Sequence, residues 1–565
     1  MIYRLADNIV SPLGATTAEN YRAVKAGQSA LCRYEGRWGL PQAFCASLMP
    51  AGAGSAAGSA LSRFELLALR SLRAALADAA IDAGGPDVVL ILSTTKGNIE
   101  LLGQLDVALG ESALRLARAV GISTTPIVVC NACISGVAAQ VLALRLLDAG
   151  EYRYAVVCGA DVQSAFTVSG FQSLQVLSAD ACRPFDIGRN GLNLGEAAAT
   201  VVYTREWRRD WCLEAGAIRN DAYHISSPSR QAEGARQALL ALHADPSRLA
   251  FINAHGTATL FNDQMESVAI TQAGFGGVPV NALKGYYGHT LGAAGVLETV
   301  LSMAAANDHT ILATRGYEER GVSGRLLLSG AHQSADCHAF VKMISGFGGG
   351  NAAILLSRSD TSKLSTLIAT PHSRRENSHC NATLSKRELS LQRHTLEERT
   401  LNSLRLTPAD GALTDLYRQH VGDYPRYYKM DGLSRLGLVA SEMLLRQSGR
   451  RPDDAAVILF NHSSSIAADR QYLATIAGAD GFYPSPSVFV YTLPNIVTGE
   501  IAIRHRFHGE TSFYILPQKD PALMRRVAEA SLACCGAPCV LTGWIDYEDD
   551  LHYEADLHMI AHKTQ

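Results

Sequence analysis

The chain has 565 residues, of which 47% are hydrophobic and 18% charged, enough for large cores in roughly three or four domain-sized units. Its 50 Lys and Arg residues nearly balance 53 Asp and Glu residues, so the net charge of −3 excludes an overall basic field for binding nucleic acid or a membrane surface. Apolar runs stop short of a membrane span, and twelve scattered cysteines without a secretory leader predict a cytoplasmic protein without disulfides.

Helical periodicity alternates with short apolar runs along the first part of the chain. An amphipathic segment over residues 61–80 precedes a strand-like run over 88–92. A helical segment over 137–147 then precedes a strand-like run over 155–158. This alternation is typical of an α/β architecture.

A second alternating series follows, from a strand-like run at residues 250–253 to another at 352–356, just after the glycine-rich string SGFGGGN. The chain then becomes polar and weakly patterned until about residue 408, which is the composition of a solvated linker. Globular patterning resumes after it. The sequence therefore predicts two α/β halves, a linker and a further globular segment.

The last segment repeats the first half of the chain. Three pairs of strings match in the same order: LSRFELLAL from Leu61 with LSRLGLVAS from Leu433, VLILSTTKGNI from Val89 with VILFNHSSSI from Val457, and VVCGAD from Val156 with VLTGWID from Val540. Order and spacing together indicate an internal duplication that stops after one half. The predicted domains are residues 1–205, residues 206–357, a linker over 358–408, and a C-terminal half-domain over 409–565.

The string VVCNACISGVAAQVLALRLL places Cys133 at a turn between a strand-like run and a long helix, which Ser135 and Gly136 open. Unpaired N–H groups and the helix dipole favour a thiolate there, so we expect the pKa of Cys133 to lie below that of a free thiol. Two alternatives stay open at this point. A single cysteine is often a small buried hydrophobe, and the CNAC pair is compatible with metal or redox chemistry.

Two further motifs carry histidines. FINAHGTATLFNDQMES places His255 where a strand meets a loop, and NALKGYYGHTLGAAGVLETV places Lys284 and His289 before a helix. Each alone is compatible with a hydrogen-bonded histidine or a solvated lysine. With Cys133 they form a chemical set: a thiolate can carry an acyl group as a thioester, and two imidazoles can donate to one carbonyl oxygen and stabilise an enolate without a metal.

These motifs resemble the β-ketoacyl-(acyl carrier protein) synthases of the thiolase superfamily, in particular the elongating group with a Cys-His-His triad. The resemblance covers about residues 2–356. It rests on four ordered blocks: NACISG, CRPFDIGRNGLNLGEAA, HGTATLFNDQMES, and KGYYGHTLGAAGVLE with SGFGGGN after it. It implies a thiolase-like fold of duplicated α/β halves in α-β-α-β-α layers, with a C-terminal α/β half-domain of the same type.

By this resemblance Cys133 is the acylated nucleophile, while His255 and His289 bind the malonyl thioester carbonyl and assist decarboxylation. Lys284 positions His289. The backbone N–H groups of Cys133 and Phe347 form the oxyanion hole, and Phe347 also gates malonyl entry. The resemblance implies no bound cofactor and no metal, because the substrates arrive on the phosphopantetheine of acyl carrier protein (ACP). Supporting acidic positions are Asp263, Glu266 and Glu298.

The C-terminal copy lacks this chemistry. The counterpart of the nucleophile falls near residues 518–520 in YILPQKDPAL, where no cysteine stands, and neither histidine motif follows. The copy resembles a degenerate synthase half, similar in logic to the chain-length-factor partners of paired ketosynthases. Two roles are open for it: it shapes the acyl tunnel of the catalytic unit, or it only stabilises the assembly.

The sequence thus predicts a β-ketoacyl-ACP synthase that condenses an acyl-enzyme thioester with malonyl-ACP, with loss of carbon dioxide, in fatty-acid or polyketide biosynthesis; polyene pigments are one pathway it suggests. The expected partners are ACP and either a second copy in a homodimer or a related synthase, with no nucleic acid and no membrane. Two rivals are weighed against it. A thiolase needs a second cysteine that SGFGGGN lacks, and a non-catalytic scaffold does not explain the intact Cys133, His255, Lys284 and His289.

Overall fold

The computed structural model describes residues 1–50, 61–104, 107–359, 398–447, 452–477 and 482–562. Most of the predicted linker over 358–408 lies outside these residues. At its end the structure places a strand, Glu398–Leu406, where the sequence analysis expects linker. This strand pairs with the last strand of the chain, so the third globular unit begins before residue 409.

Twenty-one strands and fifteen α-helices form the described part of the chain. The strands are β1 Ile2–Val10, β2 Cys32–Tyr34, β3 Phe44–Ser47, β4 Val88–Ser93, β5 Ile127–Val129, β6 Tyr154–Asp161, β7 Leu194–Gly195, β8 Ala197–Thr204, β9 Trp211–Asn220, β10 Phe251–Asn253, β11 Pro279–Asn281, β12 Thr310–Ile311, β13 Leu327–Leu328, β14 Gln333–Ser334, β15 Ala339–Ser345, β16 Gly350–Arg358, β17 Glu398–Leu406, β18 Ala456–Asn461, β19 Thr511–Ile515, β20 Cys539–Asp549 and β21 His552–His562. The helices are α1 Thr17–Lys25, α2 Arg63–Ala79, α3 Leu109–Ala119, α4 Ser135–Asp148, α5 Ala165–Ser173, α6 Glu233–Leu240, α7 Leu260–Gln272, α8 Lys284–Tyr287, α9 Ala294–Asn307, α10 Leu413–His420, α11 Gly432–Gln447, α12 Ile466–Ala477, α13 Pro486–Tyr491, α14 Ile496–His505 and α15 Pro521–Cys535.

The large sheet contains three copies of one five-stranded arrangement. The first unit has the order β1-β8-β6-β4-β5, the second β9-β16-β15-β10-β11, and the third β17-β21-β20-β18-β19. In each copy the last three strands of that order are parallel and the first two run antiparallel to their neighbours. The predicted α/β fold of duplicated halves with a further copy of the same type is therefore confirmed.

Two strand pairs join the three units. Strands β1 and β9 pair antiparallel and connect the first and second units. Strands β5 and β19 pair antiparallel through Val129 with Tyr514 and Val128 with Ile515, and connect the first and third units. The third unit is thus attached to the edge strand that leads into the Cys133 motif.

Local sequence explains the main elements of the first unit. Helix α2 begins at a capping box, in which the Ser62 side chain accepts from the Glu65 N–H and the Glu65 carboxylate accepts from the Ser62 N–H. Strand β4 is buried at every position, which fits its unbroken apolar run VVLIL and a parallel sheet covered on both faces. The duplicated string at Leu433 lies in α11, which occupies the corresponding place in the third unit.

Helices α4 and α9 cross in backbone contact at the centre of the first two units. A Cβ on Gly136 would lie 2.9 Å from the Gly292 carbonyl oxygen and from the Gly295 Cα. A Cβ on Gly295 would lie 2.5 Å from the Val137 nitrogen. Both helices are almost entirely buried and contact strands of both units. They form the central helical layer of the fold.

The structure also shows the state of the cysteines and the length of the helices in the described ranges. The eleven cysteines in the described ranges are all free thiols. Within the same ranges, every helix is too short or too polar to cross a bilayer.

We expect Gly136→Ala to lower the free energy of unfolding by about 1–3 kcal/mol, because the added methyl group meets backbone atoms that cannot rotate away. Helix propensity alone would favour alanine by roughly 1 kcal/mol, so the two effects have opposite signs. Urea denaturation measures the change. The control is Gly277→Ala in an exposed turn, where an added Cβ meets nothing within 4 Å. A Gly136→Ala protein more stable than the wild type would contradict the close crossing.

Candidate active site

Cys133 lies in a short turn between β5 and α4. The residue before it, Ala132, has a φ of 48°, in the left-handed region that non-glycine residues adopt rarely. Ser135 Oγ accepts from the Asn131 N–H at 2.8 Å and donates to the Ala132 carbonyl at 2.6 Å. Asn131 Oδ1 accepts from the Phe513 N–H at 2.6 Å. The turn is therefore held both by its own helix and by the third unit.

The structure brings Cys133, His255 and His289 together from three separate parts of the chain. Their sulfur and ring nitrogen atoms lie within 4.8 Å of one another. The two imidazole rings meet edge to face, with centroids 4.9 Å apart. Both histidines are buried and Cys133 is half-buried. The three side chains and Phe347 line one cavity of about 270 Å³.

The acidic residues of the HGTATLFNDQMES motif hold the loop that carries His255. The backbone N–H groups of His255 and Gly256 donate to the two oxygens of Glu266, at 2.7 and 2.8 Å. Asp263 accepts from the Phe185 N–H at 2.7 Å. Burial raises the pKa of both carboxyl groups, whereas the N–H donors act in the opposite direction. These two residues position backbone rather than face the cavity.

His289 follows α8, where Gly288 has a φ of 67°. Its Nδ1 accepts from the Leu291 N–H at 3.2 Å, so a neutral ring carries its hydrogen on Nε2. Among the residues that the structure describes, none is a hydrogen-bond partner for His289 Nε2 or His255 Nδ1, although both atoms are buried. His289 Nε2–H is thus a donor available to a bound carbonyl oxygen.

Two buried lysines share one buried carboxylate behind the histidines. Lys284 Nζ donates to Glu298 Oε1 at 2.7 Å, and Lys342 Nζ donates to Glu298 Oε2 and to the Ala254 carbonyl. Burial lowers the pKa of His255 and His289 well below the ordinary value, and the positive charge of Lys284 lowers it further. Both imidazoles are therefore neutral at physiological pH.

Lys342 is a site residue that the sequence analysis missed. It stands in the otherwise apolar strand AFVKMIS, where all seven residues are buried. A lysine at a fully buried strand position needs a buried anionic partner. The lysine in this apolar string was therefore the sequence signal that could have indicated the site.

The expectation that the pKa of Cys133 lies below that of a free thiol is wrong. Burial raises the pKa of Cys133 to about 12. The positive charge of Lys284 and the N–H groups of Cys133 and Phe347 act in the opposite direction, but desolvation of the thiolate is the larger effect. The resting Cys133 side chain is therefore a thiol. The two N–H groups that act on its sulfur are the pair expected to form the oxyanion hole.

The two cysteines of the CNAC string are both free thiols. Cys130 is buried, and its Sγ donates to the Thr95 carbonyl at 3.6 Å. Cys133, His255 and His289 could in principle supply three ligands to zinc. The positive charge of Lys284 that lowers the histidine pKa values also opposes a divalent cation at this point. That the reaction needs no metal stays a prediction.

The glycine-rich loop that carries Phe347 lies against both Cys133 and the third unit. A Cβ on Gly346 would lie 3.1 Å from the Cys133 nitrogen. Asn495 Nδ2 donates to the Phe347 carbonyl at 2.9 Å, and a Cβ on Gly499 would lie 2.6 Å from the Gly348 carbonyl oxygen. Asn495 was missed because its partner lies in another unit of the chain.

The third unit has no nucleophile at the corresponding turn between β19 and α15. Lys519 stands there, and its Nζ donates to Glu554 and Asp556 at 2.9 Å each. An ion-paired lysine near the surface cannot accept an acyl group from a thioester while it stays protonated. The degenerate character predicted for this copy is thus visible in its side chains.

Three related five-stranded units and a Cys-His-His pocket beside a buried helix crossing place the chain in the class of thiolase-like proteins. Residues 53–207 match the family profile of the β-ketoacyl synthase N-terminal domain, and residues 212–318 match that of the C-terminal domain. These two stretches of the chain are thus similar to the β-ketoacyl synthase family. The matched ranges contain Cys133, His255, Lys284 and His289.

Two proteins of known name are similar in sequence to part of this chain. The chain is 32% identical over 251 residues to 3-oxoacyl-[acyl-carrier-protein] synthase 2 of Coxiella burnetii, covering 40% of this chain and 60% of that protein. It is 32% identical over 205 residues to nodulation protein E of Rhizobium leguminosarum bv. trifolii, covering 34% and 51%. The chain therefore spans little more than half the length of these relatives.

Two solved structures bear on the whole fold. A ketosynthase (ApeO) in complex with its chain length factor (ApeC) from Xenorhabdus doucetiae is 26% identical, with a TM-score of 0.57 over 63% of this chain and 98% of that one. The PfaC keto synthase-chain length factor has a TM-score of 0.76 over 99% of this chain and 78% of that one, at 14% identity. The second likeness shows that the shared fold extends over the third unit.

We expect the alkylation rate of Cys133 by iodoacetamide to rise about tenfold per pH unit between about pH 7 and pH 9, without a plateau, because the thiolate fraction grows throughout this range. Peptide mass mapping measures the rate. Cys133→Ser identifies the peptide, and the exposed Cys32 reports general accessibility. A plateau near neutral pH would show a stabilised thiolate and contradict the buried thiol.

We expect Asn495→Ala to slow acylation of Cys133 about tenfold, because loss of a hydrogen bond to a buried carbonyl costs roughly 1–3 kcal/mol and loosens the loop that carries the Phe347 N–H. The maximal rate should fall while the acyl-donor concentration for half-maximal rate stays the same. Intact-protein mass spectrometry follows acylation. The control is Ser487→Ala, a substitution at an exposed position of α13. An unchanged maximal rate would refute the positioning role.

Proposed function

We propose that the chain is a β-ketoacyl-ACP synthase, which condenses an acyl group held on Cys133 with malonyl-ACP and releases carbon dioxide. The observation that carries the proposal is the meeting of one thiol and two neutral imidazoles within 4.8 Å in one cavity. A thiol can carry an acyl chain, and two N–H donors can stabilise an enolate oxygen.

In the first step, Cys133 Sγ attacks the thioester carbonyl of acyl-ACP. The Cys133 proton leaves for a neutral imidazole as the sulfur–carbon bond forms, because a thiol with a raised pKa needs a base. The N–H groups of Cys133 and Phe347 donate to the oxygen that becomes negative. The bond to the phosphopantetheine sulfur breaks, and the proton ends on that sulfur, so acyl-Cys133 and free ACP thiol result.

In the second step, malonyl-ACP binds with its thioester carbonyl oxygen at the two imidazoles. The carbon–carbon bond to the malonyl carboxylate breaks, carbon dioxide leaves, and the electron pair forms an enolate. In this proposal His289 Nε2–H donates to the enolate oxygen, and His255, whose ring meets that of His289 edge to face, donates a second hydrogen bond. The enolate carbon attacks the acyl-Cys133 carbonyl and displaces the sulfur, which takes one proton to become a thiol again.

Lys284 and Lys342 act through charge in this proposal. They share Glu298, and the positive charge of both lysines favours neutral histidines and a negatively charged oxygen in the cavity. Lys284 donates a hydrogen bond to Glu298 and acts on His289 only through its positive charge. The positioning role expected for Lys284 is thereby refined to an electrostatic one. Glu298 keeps both ammonium groups paired.

We propose that the third unit takes the place of a separate partner synthase. Strand β19 occupies the β5 edge, so this edge is not available to a second copy of the chain. The third unit also supplies Phe489 and Leu493 to a narrow cavity under Cys133, which favours a role in shaping the acyl channel over stabilisation alone.

The proposal also includes the carrier of the substrates, the location of the protein and the boundary between the synthase halves. The acyl groups are carried by the phosphopantetheine of ACP, which is a substrate carrier and not a resident cofactor. A cytoplasmic location fits the free thiols, since one of them is the nucleophile. The proposed boundary between the synthase halves 1–205 and 206–357 falls in the connection from β8 to β9.

We expect Cys133→Ala to abolish both acyl-enzyme formation and condensation of acyl-ACP with malonyl-ACP. The methyl side chain can form no thioester. The matched control is Cys130→Ala, in the same CNAC string, which keeps both activities because the Cys130 sulfur bonds only to the Thr95 carbonyl among the described contacts. Mass spectrometry measures the acyl-enzyme and the β-ketoacyl-ACP product. Condensation at the wild-type rate by Cys133→Ala would disprove the proposal.

A further inference from the structure

Two cavities share Thr95 and Lys96 in their linings. The narrow one, of about 20 Å³, is also lined by Cys133 and by aromatic and aliphatic side chains. The larger one has a volume of about 830 Å³ and is not lined by Cys133. Gln104 and Arg470, both exposed, line the larger cavity, so it opens to solvent.

A buried ion pair stands where the two cavities meet. Lys96 Nζ donates to Asp469 Oδ1 at 3.0 Å, and the two side chains are only 4% and 7% exposed. Lys96 Nζ also donates to the Thr492 carbonyl, and Ser465 Oγ donates to Asp469 Oδ2 at 3.1 Å. Lys96 belongs to the first unit and its partners to the third. The pair therefore closes the boundary between the units at this point.

Contacts hold both the backbone and the side-chain ammonium of Lys96. Its backbone N–H donates to Asp161 Oδ1 at 3.3 Å, and this buried carboxylate also accepts from Thr95 and from Gly292, beside the His289 loop. Its ammonium lies 5.3 Å from the centre of the Phe166 ring, within range of a cation–π contact. Movement of Lys96 would break several buried interactions at once.

The channel above the pair is apolar. Phe171 and Leu291 line it from the first two units, and Phe489 and Leu493 from the third. The Phe489 ring packs directly on Gly170, where a Cβ would lie 2.1 Å from ring atoms. An alkyl chain can enter by displacing aromatic rings, but its methyl end cannot replace the partners of a buried charge.

We propose that the Lys96–Asp469 ion pair is the closed end of the acyl channel and sets the longest acyl chain that Cys133 accepts. The inference rests on the proposed function and concerns the specificity of the same site. The pair separates the apolar channel from a solvent-open cavity. It therefore excludes water from the thioester and stops chains that would otherwise extend into the larger space.

The test is acylation of the full-length protein by saturated acyl-ACPs that differ by two carbons, followed by intact-protein mass spectrometry. Wild-type protein should show a steep fall in rate above one chain length. In the double variant Lys96→Ala with Asp469→Ala, the limit should move to longer chains, with at least about tenfold faster acylation by the first chains that the wild type rejects. The same limit in both proteins would overturn the proposal.

The matched control is Arg145→Ala with Glu510→Ala. This pair is also buried and also joins the first and third units, at 2.7 Å, but it lines neither cavity. Its removal should leave the length limit of the wild type. A shift of the limit in the control as large as in the Lys96 variant would attribute the effect to a loosened interface and overturn the proposal.

A second measurement needs only the wild-type protein. A crystal structure of wild-type protein acylated with the longest accepted chain should place the terminal carbon in van der Waals contact with Lys96 or Asp469. A chain that ends elsewhere overturns the proposal even where the double variant fails to fold. Absence of any acyl group on wild-type Cys133 would refute the proposed function itself, which is a different outcome from an unchanged length limit.

Discussion

The backbone contact between α4 and α9 is the constraint on which the site depends. Cys133 lies just before α4 and His289 just before α9, so the crossing at Gly136 and Gly295 fixes the separation of the sulfur and the imidazole. Any side chain larger than hydrogen at the crossing would force these helix ends apart. Because strands of two units cover both helices, the same contact also keeps the His289 side chain buried.

The charges around the pocket favour a negatively charged oxygen more than a resting thiolate. Two buried ammonium groups face one buried carboxylate, yet burial keeps the Cys133 thiol and both imidazoles uncharged. The positive charge of Lys284 and Lys342 lowers the pKa of both imidazoles and favours negative charge nearby. Its preferred partner is charge that develops on a substrate oxygen, which is the arrangement that lowers the barrier for an enolate or a tetrahedral intermediate.

Sequence patterns predicted the α/β class, the third copy of the unit, and the convergence of Cys133, His255 and His289. The first two follow from local periodicity and from the repeated strings, whereas the convergence of the three residues was implied by the resemblance of their motifs to the β-ketoacyl synthases. The pKa of Cys133 was not predictable in this way, because desolvation depends on everything packed around the sulfur whereas the helix-end argument considers one element. Asn495 and Lys96 act through partners in another unit, and no local string marks such a contact. Strand β17 was missed because its polar sequence is stabilised by pairing with β21.

The third unit has lost the chemistry of the fold but retains its framework, and the contacts of the first unit explain why. Strand β19 completes the edge of β5, and the Phe513 N–H binds the Asn131 side chain in the nucleophile turn. Asn495 holds the loop of Phe347 from the same side. Removal of this unit would expose an apolar strand edge and break the hydrogen bonds that its residues make to the turn of Cys133 and the loop of Phe347. A copy that lacks Cys133 and the histidines thus helps to hold this turn and this loop in place.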